Sequence, residues 1–174
     1  MKNNLLEIAI RQIKSYKTVG DKTFDQLNDN QIFWQYNQES NSIAIIVKHI
    51  VGNQFSRWTN FLTEDGEKEW RERDDEFINS YTSKKEMIDA WEKGWECYLL
   101  ALKQLSESDL NCIIYIRKEP HSVLEAITRQ LCHYSYHIGQ ITYIAKMIKN
   151  EDWESLSIPK NKSKEFNQKK FSES

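Results

Sequence analysis

The chain is poor in residues that interrupt helices, with five glycines and two prolines among 174 positions. Long unbroken helices are therefore open to it. No apolar run reaches the roughly 18 residues of a membrane span, so no transmembrane helix is expected. The three cysteines, Cys97, Cys112 and Cys132, are odd in number and keep no framework spacing. That excludes a disulfide scaffold and points to reduced thiols. An excess of one charge is also missing. Against 24 basic residues stand 26 acidic ones, for a formal net charge of −2. A dense basic face is thus not expected, and neither is a nucleic-acid partner. The N-terminal MKNNLLEIAIRQIKSYK lacks the continuous apolar stretch and cleavage site of a signal peptide, so the expected location is the cytoplasm. No Gly-rich phosphate loop or nucleophile elbow occurs. The absence of a Glu-x-x-His pair disfavours a carboxylate-rich di-iron bundle.

What is present is 39% hydrophobic and 29% charged residues, the balance of one globular domain with a core of its own. Four stretches carry helical periodicity. The first runs from about Asn3 to Tyr16 through Leu5, Ile8, Ile10 and Ile13. Residues 20–40 read as a polar connection, with Phe33 and Trp34 folding back as a plug. The second helix is expected over Ser42 to Leu62, behind the N-cap candidates Ser40, Asn41 and Ser42. Thr63 to Phe77 is highly charged. It reads as an ordered connection pinned by Trp70 and Phe77, with Arg71 to Asp75 as a solvated loop. The third helix begins near Ser83, with Glu86 three residues on, and reaches Leu105. Its Trp91, Trp95 and Tyr98 stand at helical spacing, which suits core packing. After a short extended run, Cys112 to Ile116, closed by Pro120, the fourth helix spans Ser122 to Asn150 behind a Ser122/Glu125 capping box. The pattern predicts an all-α four-helix bundle over residues 1–150. Residues 151–174 form a polar C-terminal extension, partly docked, with a mobile end. Long second and third connections allow neighbouring helices to run parallel.

The fourth helix carries His133 and His137, four residues apart and so about 40° apart around the axis. They lie beside the stripe of Val123, Ile127, Tyr134, Ile138, Ile141 and Ala145. On the second helix Ser42, Ile46, His49, Asn53 and Ser56 line up in the same way. Two imidazoles at this spacing can share one metal ion, and His49 can supply a third nitrogen if the helices face each other. The plainer reading is three separately hydrogen-bonded boundary histidines. His121, before the fourth helix, reads as a surface or loop residue. Cys132 is adjacent to His133 but diverges by about 100° and should point away.

At these residues the sequence resembles the DinB-like (YfiT-type) superfamily. The likeness is carried by IVKHIVGN from Ile46 and SRWTNFLTEDGEKEWRERDDEF from Ser56. It continues in RQLCHYSYHIGQITYIAK from Arg129 and SLSIPK from Ser155, within a branch of unknown function. The resemblance implies an up-down-down-up four-helix bundle and a homodimer. It also implies one divalent ion, Zn or Ni, on His49, His133 and His137. Some relatives are thiol-dependent transferases or isomerases, but no motif here identifies a thiol cofactor.

A three-histidine site leaves a coordination position open, as catalytic zinc sites do. One expectation is therefore a metal-dependent thiol transferase or hydrolase acting on a small molecule. Gln140, one turn past His137, and Asn53, one turn past His49, can orient ligands or substrate. Tyr134, Tyr136 and Tyr143 are candidates to wall a pocket, and Arg57 or Arg73 to meet an anionic group. The other expectation is a metal-binding bundle without turnover, serving as a sensor, storage or interaction protein, since no general base is evident beside the three histidines.

Overall fold

Capping and periodicity divide the chain much as the sequence suggests. The computed structural model describes residues 4–172. Its helices are α1 (Leu5–Asp25), α2 (Asp29–Ile32), α3 (Ile43–Trp58), α4 (Lys84–Lys103), α5 (Val123–Lys149) and α6 (Ser163–Ser172). The expected start at Asn3 lies outside the described residues. A hairpin of β1 (Ile113–Ile116) and β2 (Glu119–Ser122) precedes α5. Ser42 caps α3 by accepting from the Ile45 amide, and Ser83 caps α4 by accepting from that of Glu86. Ser122 and Glu125 form a full capping box on α5.

Cross-helix contacts fix the directions. Gln54 and Val51 border Gly94, and Trp58 packs on Tyr98, so α3 and α4 run parallel. Gly20 meets Ile138 and Thr23 meets Thr142, so α1 and α5 are parallel too. His49 faces His133 while Asn53 faces Gln130, which sets α3 antiparallel to α5. The bundle is therefore up-down-down-up in α1, α3, α4 and α5. Trp91, Trp95, Tyr98 and Tyr134 fill its centre as edge-on and tilted rings, all but sealed from solvent.

Three local readings change. The first helix does not stop at Tyr16 but continues to Asp25. Its last turns are held by Trp91, whose indole nitrogen donates to Asp21 at 2.8 Å. A Cβ at Gly20 would stand 2.7 Å from that ring, so only glycine allows the approach. Ile32 and the half-buried Phe33 form the plug, whereas Trp34 is exposed. The segment after α3 is pinned by charge rather than by Trp70, which is 59% exposed. There the Lys68 ammonium meets Glu64 at 2.7 Å, and Arg57 holds Glu67 at 2.8 Å. Asp65 accepts from the backbone amides of Arg117 and Lys118, both at positive φ in the hairpin turn. This ties the connection to β1–β2. Beyond α5, Glu154 exchanges two hydrogen bonds with Gln26, and the polar tail carries the exposed helix α6. No helix of the described residues is long and apolar enough to cross a membrane.

Candidate metal centre

The antiparallel α3 and α5 bring the three helical histidines to one point. Nε2 of His133 lies 3.2 Å from Nε2 of His49 and 3.0 Å from Nε2 of His137. A tetrahedral ion with bonds of about 2.0–2.1 Å spaces its ligands roughly 3.3 Å apart, so the cluster is already near that geometry. Among the described residues this is the one group of three or more histidine, cysteine or carboxylate side chains close enough to hold a metal. His49 is buried, and His133 and His137 are half-buried.

Each ring is held from behind by its other nitrogen. His49 Nδ1 lies 2.8 Å from Oε2 of Glu76, and His137 Nδ1 lies 2.8 Å from Oε1 of Gln140. His133 Nδ1 lies 3.0 Å from the amide of Gln130, which in turn donates to Asn53 at 2.8 Å. The Tyr134 hydroxyl donates to the same Asn53 oxygen. Such outer partners fix the ring plane and the tautomer of metal-binding histidines. With Nδ1–H donating to Glu76 and Gln140, Nε2 of His49 and of His137 keeps its lone pair for an ion.

Burial, together with the neighbouring His137, His49, Arg57 and Arg71, pushes the His133 imidazole down to about 3. Burial also lowers His137, although its bond to Gln140 works the other way. Both rings are therefore neutral at physiological pH, as a ligand must be. Burial alone would raise the Glu76 carboxyl. The hydrogen bonds from His49 and Arg71 outweigh it and hold Glu76 below the usual carboxylate range. Arg71 reaches Glu76 through two nitrogens, at 2.7 and 3.0 Å.

Gln140 and Asn53 thus both stand behind the cluster, His137 being held by the first and His133, through Gln130, by the second. Of the tyrosines, Tyr134 braces Asn53 and Tyr136 packs its ring 5.2 Å from His137, whereas Tyr143 is 67% exposed. His121 lies in β2, apart from the cluster. Cys132 is exposed, as its position on the helix implies. Glu76 and Arg71 are the residues the sequence did not reveal. They sit in a run of nine charges in ten positions, 67–76, whose even polarity hides which members turn inward. Phe77 beside them stacks on the His49 ring at 5.2 Å.

A cavity of about 220 Å³ opens next to His49 and His133. Both histidines line it, so an ion in the cluster would be reachable from that side. The site combines three converging Nε2 atoms, a partner behind each ring and access for a small molecule.

The fold is that of the DinB-like proteins. Among solved structures the chain matches a DinB-like protein from Bacillus cereus ATCC 10987 with a TM-score of 0.61 and 20% identity, covering 80% of this chain and 90% of that one. The chain belongs to the family described as "Protein of unknown function (DUF1572)", whose model matches residues 1–162. No curated protein matches it.

Proposed function

We propose that the chain binds one divalent ion, Zn or Ni, through Nε2 of His49, His133 and His137, and uses it as a metal-dependent thiol transferase or hydrolase. The observation that carries this reading is the convergence of three Nε2 atoms whose Nδ1 atoms are each occupied by a partner at 2.8–3.0 Å. An ion held there supplies Lewis acidity that eases deprotonation of a thiol or a water in its open position. The chain's own part is to keep the rings neutral and aimed, to exclude bulk water by burial, and to admit a small molecule through the adjoining cavity. Imidazole ligands suit Zn and Ni alike.

A second reading, metal binding without turnover, rests on one observation. Both oxygens of Glu76, the carboxylate nearest the cluster, are engaged by His49 and Arg71, so Glu76 is not free to act as a base.

Metal analysis of protein purified without an affinity tag tests the common premise. About one ion per chain is expected, and His133→Ala should lose it while keeping a helical circular dichroism spectrum. Turnover of a thiol-reactive electrophile with bacillithiol, glutathione or cysteine, present with the ion and absent without it, separates the two readings. Failure across these thiols and a panel of hydrolysable esters would select the non-catalytic one.

A further inference from the structure

The sequence contains six arginines, at positions 11, 57, 71, 73, 117 and 129, against 18 lysines. Five of the six line the cavity beside His49 and His133, and no lysine does. They arrive from four parts of the fold: Arg57 from α3, Arg71 and Arg73 from the charged connection, Arg117 from the hairpin turn and Arg129 from α5. Guanidinium differs from ammonium in presenting a planar fork that matches the two oxygens of a carboxylate or phosphate.

Internal pairing accounts for only part of the set. Arg57, Arg71 and Arg117 share Glu67, and Arg71 also holds Glu76. Asp65 accepts from backbone amides at the hairpin turn. No carboxylate lines the cavity itself. Arg73 and Arg129 form no ion pair among the described residues. The exposed Arg73 guanidinium lies 5.3 Å over Phe77, the ring that stacks on His49, which places it beside the cluster.

We propose that this cavity is the binding subsite for an anionic group, a carboxylate or a phosphate, on the small molecule that approaches the ion. Arg73 and Arg129 are its unengaged donors, and Arg57, Arg71 and Arg117 are the positive wall behind them. At about 220 Å³ the space falls below the roughly 300–1,000 Å³ of drug-sized pockets and suits a metabolite-sized anion. The proposal rests on the metal-centre reading only for where the rest of the ligand goes. The arginine cavity itself does not depend on it.

Calorimetric titration of the metal-loaded full chain with malonate and with inorganic phosphate tests it, with malonamide as the uncharged control. The anions should bind saturably, at least about tenfold tighter than malonamide, and whichever of the two binds tighter identifies the preferred group. The double variant Arg73→Gln/Arg129→Gln should weaken anion binding about tenfold or more, as expected for lost charge-assisted hydrogen bonds, with metal content and melting temperature unchanged. Anion affinity equal in variant and wild type, or malonamide binding as tightly as malonate, overturns the proposal. A chain that binds malonate through these arginines but turns over nothing loses the catalytic reading and keeps the anion subsite. A chain that turns over uncharged substrates, with an unimpaired double variant, does the reverse.

Discussion

A carboxylate placed in a protein interior is ordinarily costly, because burial favours its neutral form. Glu76, at 5% exposure, escapes that cost through Arg71 on one side and His49 on the other. Gly52 makes the arrangement possible, since a Cβ there would stand 2.8 Å from the Glu76 carboxyl carbon. Two outcomes follow from that crowding. Glu76→Gln should loosen metal binding by about 10–100-fold, the usual effect of losing an outer partner of a metal-bound histidine, measured by competition with a chelator. Gly52→Ala should give a loss in the same direction by displacing the Glu76 side chain, although residue 52 touches no ion. A Gly52→Ala protein with wild-type metal affinity would show that Glu76 does not set the orientation of His49. Nothing in the sequence marks Glu76 for this role, because a glutamate in a charged run gives no sign of which tertiary partner it will meet. The three histidines were legible for the opposite reason. The i, i+4 spacing in one helix fixes their side, and one turn of a facing helix suffices to supply the third.

Helix beginnings are written locally, and those of α3, α4 and α5 could be read from Ser42, Ser83 and Ser122. The end of α1 could not be read, because its last two turns depend on Trp91, some 70 residues away in the chain. The cap of α5 matters most for the site, since that helix carries two of the three histidines. Ser122 both accepts from the Glu125 amide at 3.1 Å and donates to the Glu125 carboxylate at 2.8 Å. Ser122→Ala should therefore cost about 1 kcal/mol. In a protein of this size that lowers the melting temperature by roughly 2–4 °C. Because His133 lies about three turns into the helix, metal content should be unaffected, and a calorimetric scan beside metal analysis reads both quantities. A Ser122→Ala protein that keeps its melting temperature but loses its ion would mean that the cap positions α5 rather than stabilising it.

For the molecule as a whole, the up-down-down-up order places two parallel helix pairs back to back and brings the middle of α3 against the middle of α5. The buried face that results holds imidazoles where a bundle would otherwise hold aliphatic side chains, and this links stability to pH. His133, His137 and Glu76 all have folded-state values below their ordinary ones. For groups of this kind the unfolded chain binds more protons than the folded one within the titration window, so stability rises with pH there. The histidine contribution is complete above about 6.5 and is lost as pH falls from there toward the value of about 3 for His133. The Glu76 contribution is lost lower, beginning below the ordinary carboxylate value of about 4.3. Urea titration of metal-free protein should therefore give a midpoint that falls between pH 7 and pH 5, with the unfolding free energy dropping by at most about 1.4 kcal/mol per pH unit for each imidazole involved. Adding a divalent ion should raise the midpoint throughout this range, because it binds the neutral rings of the folded chain in preference to the unfolded chain. Replacing His133 and His137 by phenylalanine should flatten the metal-free profile in this window and abolish the effect of the ion. A metal-free midpoint that stays level from pH 7 to pH 5 in the wild-type chain would mean that the rings accept protons in place, and that burial does not keep them neutral for a metal.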